Sequence, residues 1–253
     1  MRRYWIESRD KNGEVIQFQG DVFHHVFDVC RQAEGSKFEV LTEEGKAYFV
    51  EVTNVGRKSA QARVLEERLI PPLKEPLIHL VLSVPRFPVM EAVLEKAVEL
   101  GVKSVQPVFS EFSFVRSANS LSDGKWQRWE KIIRSATQQC GRGEKMLLHE
   151  PHPLENFLAE MNRNGAFEGL FAYEGGSTLG IKAEIQNIKA RNPRGLKEIF
   201  LFVGSEGGFS HAEVEMFQRA KLTPVTLGAQ VLRVETACMA LVSVLKYDFD
   251  LMC

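Results

Sequence analysis

The sequence predicts an α/β protein in two parts: a small all-β region, then a mostly parallel sheet with helices on both faces. Three observations carry that prediction. Before residue 72 the apolar segments are short, β-branched or aromatic, and set off by hairpin-type turns. Residues 71–76 read PPLKEP, a stiff, extended linker. After it, continuous apolar runs alternate with segments at helical spacing, as strands buried on both faces require.

Taken in order, strands are expected at residues 14–18, 37–41, 46–52 and 60–65, with turns at 42–45 and 56–59, together forming a barrel. In the second part, 77–84 is a buried apolar strand. Residues 89–100 follow as a helix, with Val89, Val93 and Ala97 in one row and Gly101 as its C-terminal cap. Residues 102–109 form the next strand. Residues 125–141 read as a two-faced helix. At about 100° per residue, Trp126, Trp129, Ile133, Ala136 and Cys140 share one side, and Arg128, Lys131, Arg134 and Gln138 the other. Strands at 169–172, 199–203 and 224–227 each lead into a helical pattern. The last helix carries Ala237, Met239, Ala240, Leu241, Val244 and Leu245. It is apolar around most of its surface, so it is expected to be buried between elements or against a partner subunit.

The bulk numbers are those of ordinary globular protein: 253 residues, 44% hydrophobic and 26% charged. A net charge of -1 points neither toward nor away from a polyanionic partner, because local patches matter more than the sum. The four cysteines, Cys30, Cys140, Cys238 and Cys253, make no CxxC or CxxH pair. No zinc ribbon is therefore expected, nor any other metal centre, and free thiols suit a reducing cytoplasm. The opening MRRYWIESRD lacks the apolar stretch of a signal peptide, and no run of about 18 apolar residues exists to cross a membrane. The expectation is a cytoplasmic protein.

Two glycine-bearing loops carry the chemistry. The first, VGSEGGFS (203–210), follows a strand and opens a helix through the capping box of Ser210 and Glu213. Gly204, Gly207 and Gly208 lack Cβ atoms and let backbone approach a ligand, at the strand end where open α/β sheets bind one. By itself the segment also reads as a plain tight turn. Neither GxGxxG nor GxxxxGK[ST] is present, and Glu206 would repel phosphates, so a nucleotide-phosphate site is disfavoured. The second loop, LGAQVLRVETA (227–237), places Glu235 and Thr236 where a helix start wants an acid and a cap. It also sets Arg233 near a buried region, where it needs a carboxylate or a bound anion. Glu235 or Glu206 would serve as an ordinary ion-pair mate.

Together these segments resemble the 16S ribosomal RNA uridine-N3 methyltransferases, a branch of the SPOUT superfamily. That family's glycine turn reads GPEGG and then a helix-capping S, matched at 204–208 and Ser210. Its LGxx[IV]LRxETA is matched in full at 227–237, and its KxxELGV within EKAVELGV (95–102). ATQQCGR (136–142) is similar to its AxEQ[SC]GR, and His24, His25, Val29 and Arg31 to its HH…VxR. Two positions depart. Ser205 stands for the usual proline and should loosen the turn slightly; Arg86 stands for a lysine, keeping charge but changing geometry.

The resemblance implies an RNA-binding PUA-like β-barrel over 1–72 and a SPOUT domain over 73–253 with a C-terminal trefoil knot. It also implies a homodimer, S-adenosylmethionine (SAM) as methyl donor, and the 16S rRNA of the small ribosomal subunit as substrate. SAM is assigned to three loops. The first carries Tyr173 and Glu174. The second is Val203, Gly204, Ser205, Glu206, Gly207 and Gly208. The third is Leu227, Gly228, Val231, Leu232 and Arg233, with Thr236 and Ala237 at the following helix start. Arg142 and Arg233 are the candidates for orientation and charge stabilisation, and Glu206 for accepting a proton or orienting an arginine. The expected RNA surface joins Arg128, Lys131, Arg134, Gln139 and Arg142 to Arg86 and, on the barrel, to Arg2, Arg3, His24, His25 and Arg31. Solvated side chains are the plain alternative for each. The competing functions are methylation of another RNA base and a non-catalytic RNA-binding role in ribosome assembly.

Overall fold

The computed structural model describes residues 3–117, 120–176 and 179–252. The chain divides into two compact units, one of Met1–Pro72 with Arg134–Lys145, the other of Leu73–Ile133 with Met146–Cys253.

The first unit is built on a six-stranded sheet. In chain order its strands are β1 (Arg3–Trp5), β2 (Lys11–Asn12), β3 (Val15–Gln19), β4 (Lys37–Leu41), β5 (Lys46–Val55) and β6 (Ser59–Leu69), arranged β1-β4-β5-β6-β3-β2. Between β3 and β4 lie a short helix α1 (Gly20–Phe23) and a π-helical turn, His24–Val29. All ladders are antiparallel except β1 with β4. Register shifts in β5 at Phe49/Val50 and Val52/Asn54 curl the sheet, as bulges do. The concave face holds an aromatic core in which Phe38 meets Tyr4 and Phe18 edge-on, at ring separations of 4.9 and 5.9 Å.

Strands β5 and β6 outrun the expected 46–52 and 60–65. The outer residues of β6 are exposed, so no apolar alternation marks them. Cross-strand partners hold them instead, Tyr48 opposite Glu67 and Lys46 opposite Leu69, with the Lys46–Glu67 ion pair at 2.8 Å.

The second unit contains β7 (Leu77–Ser83), α2 (Phe87–Glu99), β8 (Ser104–Phe109) and the first part of α3 (Asp123–Cys140). It continues with β9 (Leu147–Leu148), β10 (His152–Pro153), α4 (Leu154–Asn164), β11 (Gly169–Ala172), β12 (Leu179–Gly180) and α5 (Ile181–Arg191). It ends with β13 (Glu198–Val203), α6 (His211–Arg219), β14 (Thr223–Thr226) and α7 (Val234–Asp248). Every ladder is parallel, in the order β10-β8-β7-β13-β11-β14-β12, with β9 also beside β8. All six residues of β8 are buried, the signature of a strand covered on both faces. Strand β11 lies between β13 and β14, so the loops leaving these three strands emerge side by side.

Helix α2 begins at Phe87, earlier than expected, because Pro88 suits a helix's first turn. Helix α7 starts at Val234 with Arg233 as its N-cap, so Thr236 is inside the helix and caps nothing. One face of α7 is buried, through Ala237, Cys238, Leu241, Val242 and Leu245; Met239, Ala240 and Val244 are half-buried, and Tyr247 is exposed. Among the described residues no helix is long and apolar enough to cross a membrane.

Candidate functional site

The loops after β11, β13 and β14 enclose a cleft of about 610 Å³, a size typical of small-molecule sites. It belongs wholly to the second unit and sits at the C-terminal strand ends, where parallel sheets bind ligands.

The glycine turn forms its floor. The Gly208 amide donates to the Ser205 carbonyl at 2.9 Å, and Gly208 has φ +69°, in the left-handed region. A Cβ on Gly204 would lie 2.7 Å from the Gly208 carbonyl carbon, so only glycine lets the two ends of the turn touch. Ser210 and Glu213 form the expected capping box at the start of α6. Glu213 is buried, and its Oε1 also accepts from the Glu111 amide at 2.7 Å.

Ser205 does not loosen this turn. It is buried, and its hydroxyl donates to the Phe112 carbonyl at 2.6 Å. A proline constrains φ through its ring; here a hydrogen bond to a neighbouring loop supplies the constraint. Gly207 packs against the same loop, since a Cβ there would meet the Phe112 Cβ at 2.8 Å.

Glu206 is exposed at the cleft, and its Oε1 accepts from the Arg86 amide at 3.1 Å. The carboxylate thus holds the β7–α2 loop, and Arg86, placed on the RNA surface by the sequence, lines this cleft. On the third loop, Thr226 Oγ1 donates to the Gly228 carbonyl at 2.9 Å, and Gly228 has φ +131°.

The structure brings together Tyr173 and Glu174 from the first loop and Val203, Gly204, Ser205, Glu206 and Gly208 from the second. The third loop contributes Leu227, Gly228, Val231, Leu232 and Arg233, followed by Ala237. Gly207 and Thr236 do not line the cleft; one faces Phe112 and the other is exposed on α7. The sequence reading missed Val89, the strand-end residues Ala172, Val225 and Thr226, and Ala229, Gln230, Val234 and Glu235 between the named positions. Strand ends point into such clefts by topology, which a motif does not spell out.

Arg233 is exposed rather than set against buried surface, because α7 turns its apolar face inward only from Val234 onward. Arg142 belongs to the first unit and is not part of the cleft wall. Burial pushes its guanidinium down from the usual arginine range, while Glu144 pulls it back up.

Of the expected RNA surface, Arg128 is exposed but paired bidentately with Glu91 at 2.6 and 2.7 Å. That pair holds the Glu91 carboxyl below its usual range. Lys131, Arg134 and Gln139 are exposed on α3, opposite buried Trp129, Ile133 and Ala136. Trp126 and Cys140, expected on the apolar side, are only half-buried. In the first unit Arg3 pairs with Glu39 at 2.9 Å, and exposed His24 with Asp28 at 2.8 Å. His25 is exposed and meets the Tyr4 ring edge-on at 5.9 Å. Arg31 is exposed, with φ +54°. Arg2 lies outside the described residues. No group of three or more metal-ligating side chains gathers anywhere among those described.

Comparison with known proteins fits this arrangement. An RNA methyltransferase domain family matches residues 73–246, and an RNA methyltransferase PUA domain family matches residues 18–65. Ribosomal RNA small subunit methyltransferase E of Bacillus subtilis is 27% identical over 258 residues, covering 100% of this chain and 98% of the relative. The enzyme of that name from Aquifex aeolicus is 28% identical, covering 97% and 99%. A crystal structure of ribosomal RNA small subunit methyltransferase E from Neisseria gonorrhoeae bound to S-adenosyl methionine superposes with a TM-score of 0.80 at 27% identity, covering 98% of this chain and 97% of that one. With a cleft at the strand ends, a PUA-like sheet before it and a family match across more than half its length, the chain belongs to the RNA methyltransferase domain family.

Proposed function

We propose that this protein transfers a methyl group from SAM to N3 of a uridine in the 16S rRNA of the small ribosomal subunit. The observation that carries the reading is the convergence of the glycine turn and the LGAQVLRVETA loop in one cleft above β13, β11 and β14. The residues present fit the cofactor. Gly204 and Gly208 close a tight turn that lines the cleft with backbone rather than side chains, and Leu227, Val231 and Leu232 offer apolar surface for a purine. Glu174, Glu206 and Glu235 provide negative charge for a sulfonium and an ammonium, and Arg86 and Arg233 face a carboxylate or the RNA.

SAM supplies an electrophilic methyl group. The chain holds the acceptor nitrogen in line with it and stabilises the base as N3 loses its proton. Arg233, exposed at the cleft, is one candidate for the charge-stabilising role, and half-buried Arg142 of the first unit is the other. Glu206 has one oxygen engaged by the Arg86 amide and the other available as proton acceptor. Residues 1–72 act as the RNA-binding PUA-like domain and 73–253 as the methyltransferase domain, knotted near the C-terminus and paired in a homodimer. The half-buried apolar row of Met239, Ala240 and Val244 beside exposed Tyr247 supports the pairing.

The test is methylation of small subunits from cells lacking this gene, with the product mapped by mass. Purified protein and SAM should restore one methyl group on one uridine. Restoration on another base would establish the competing specificity, and no transfer at all would sink the enzymatic reading.

A further inference from the structure

Loop 110–114 carries two exposed aromatics, Phe112 at 43% and Phe114 at 53%. Phe112 is held from three directions. Its carbonyl accepts from buried Ser205, the amide of the residue before it donates to buried Glu213, and its Cβ rests on Gly207. Two of these partners, Ser205 and Gly207, belong to the glycine turn itself. Below, the buried hydroxyls of Ser83, Ser110 and Ser113 bond to one another, and the Phe114 amide donates to the Val84 carbonyl, anchoring both ends of the loop on the strands. A phenylalanine fixed by so many contacts, yet nearly half in water behind the glycine turn whose Ser205 lines the cleft, is not explained by packing. Preorganised aromatic surface is what an unstacked nucleobase binds, because every base has a π-face. Lys125 Nζ lies 4.7 Å from the centre of the Phe87 ring, which itself meets Phe114 edge-on at 5.4 Å, and exposed Arg116 follows Phe114 closely in sequence. Of the acids there, Glu206 is engaged by the Arg86 amide, Glu213 by the Glu111 amide and Glu91 by Arg128, while Glu111 is exposed.

We propose that Phe112 is the stacking platform for the RNA base that enters the cleft, locked to the cofactor turn through Ser205 and Gly207 so that base and methyl donor are placed by one rigid unit. This rests on the methyltransferase reading above.

The test compares Phe112→Leu, which keeps bulk and apolarity but loses the π-face, with Phe112→Tyr, which keeps the face. SAM affinity is measured by calorimetry, oligomeric mass by sedimentation, and kcat/KM on small subunits lacking the modification. The expected result is a loss of about tenfold in kcat/KM for Phe112→Leu, substantially recovered in Phe112→Tyr. SAM affinity and mass should stay within about twofold and unchanged, respectively. Equal turnover in the leucine variant overturns the proposal. So does a parallel loss of SAM affinity, which would make Phe112 a prop of the glycine turn, or a change in mass, which would make it a contact between copies. A wild-type protein that neither binds SAM nor transfers methyl overturns the underlying reading, and is recognised before any variant is made.

Discussion

At the scale of single residues, the cleft depends on positions where one atom more would not fit. Gly204 is the sharpest case, because the atoms a Cβ would meet are the Gly208 backbone, which cannot swing aside as a side chain can. Gly204→Ala should weaken SAM binding by about tenfold or more, the cost of displacing the turn. Gly180→Ala is the matched control, since nothing lies within 4 Å of its Cβ position and it should bind as the wild type does. Calorimetric titration of both variants checks this, and equal affinities would show that the turn does not touch the cofactor. The sequence identifies Gly204 as a glycine in a turn, but the contact that forbids a side chain exists only once the turn has closed. Ser205 teaches the same point in reverse. Read locally, it is a missing proline; its compensating partner, the Phe112 carbonyl, lies 93 residues away in sequence.

At the scale of elements, two carboxylates tie neighbouring segments together. Glu213 caps α6 and accepts the Glu111 amide, so Glu213→Ala removes a cap and frees a loop in one step. The expected cost is about 1–2 kcal/mol in chemical denaturation, with the loss falling on the unit that contains α6. Glu39 plays the corresponding part in the first unit. It is buried on β4 between Arg3 of β1 and Arg68 of β6, at 2.9 and 2.6 Å. Burial alone would raise its carboxyl, but bonds to the two arginines outweigh that and hold it below the usual carboxylate value of 4.5. A depressed folded-state value means stability that is present above the unfolded value and lost as pH falls through the folded one. Glu39→Gln should therefore cost about 1–2 kcal/mol near pH 7. The gap from wild type should narrow as pH drops below about 4.5, the unfolded value. Urea titrations at pH 7 and in acid check both halves, and a gap that widened in acid would contradict the assignment. The capping box was legible because it is local, with both partners within four residues. The Arg3–Glu39–Arg68 triad was not, because it is created by strand pairing across 29 and 36 residues of sequence.

At the scale of the whole molecule, a ligand that binds only the folded second unit must stabilise it. SAM at about a hundred times its dissociation constant should add about 2.7 kcal/mol, raising the melting temperature by several degrees. A shift equally large in Gly204→Ala would locate the ligand elsewhere. The sequence by itself determined the division of labour: short β-branched segments first, then apolar strands alternating with helices, and the two loop motifs that name the family. Those features are written in local pattern, in hydrophobic period, caps and glycines, which a chain expresses before it folds. Tertiary structure alone decided which strands became neighbours. Setting β11 between β13 and β14 gathers three loops, separated in sequence by tens of residues, around one cleft. Tertiary structure also put Arg86 on the cleft wall and left Arg233 exposed there, while Arg142 is half-buried in the first unit. Residue type fixes what a side chain can do. Strand order and helix rotation fix what it can reach, and those follow from burying whole apolar faces at once, a demand no single segment carries.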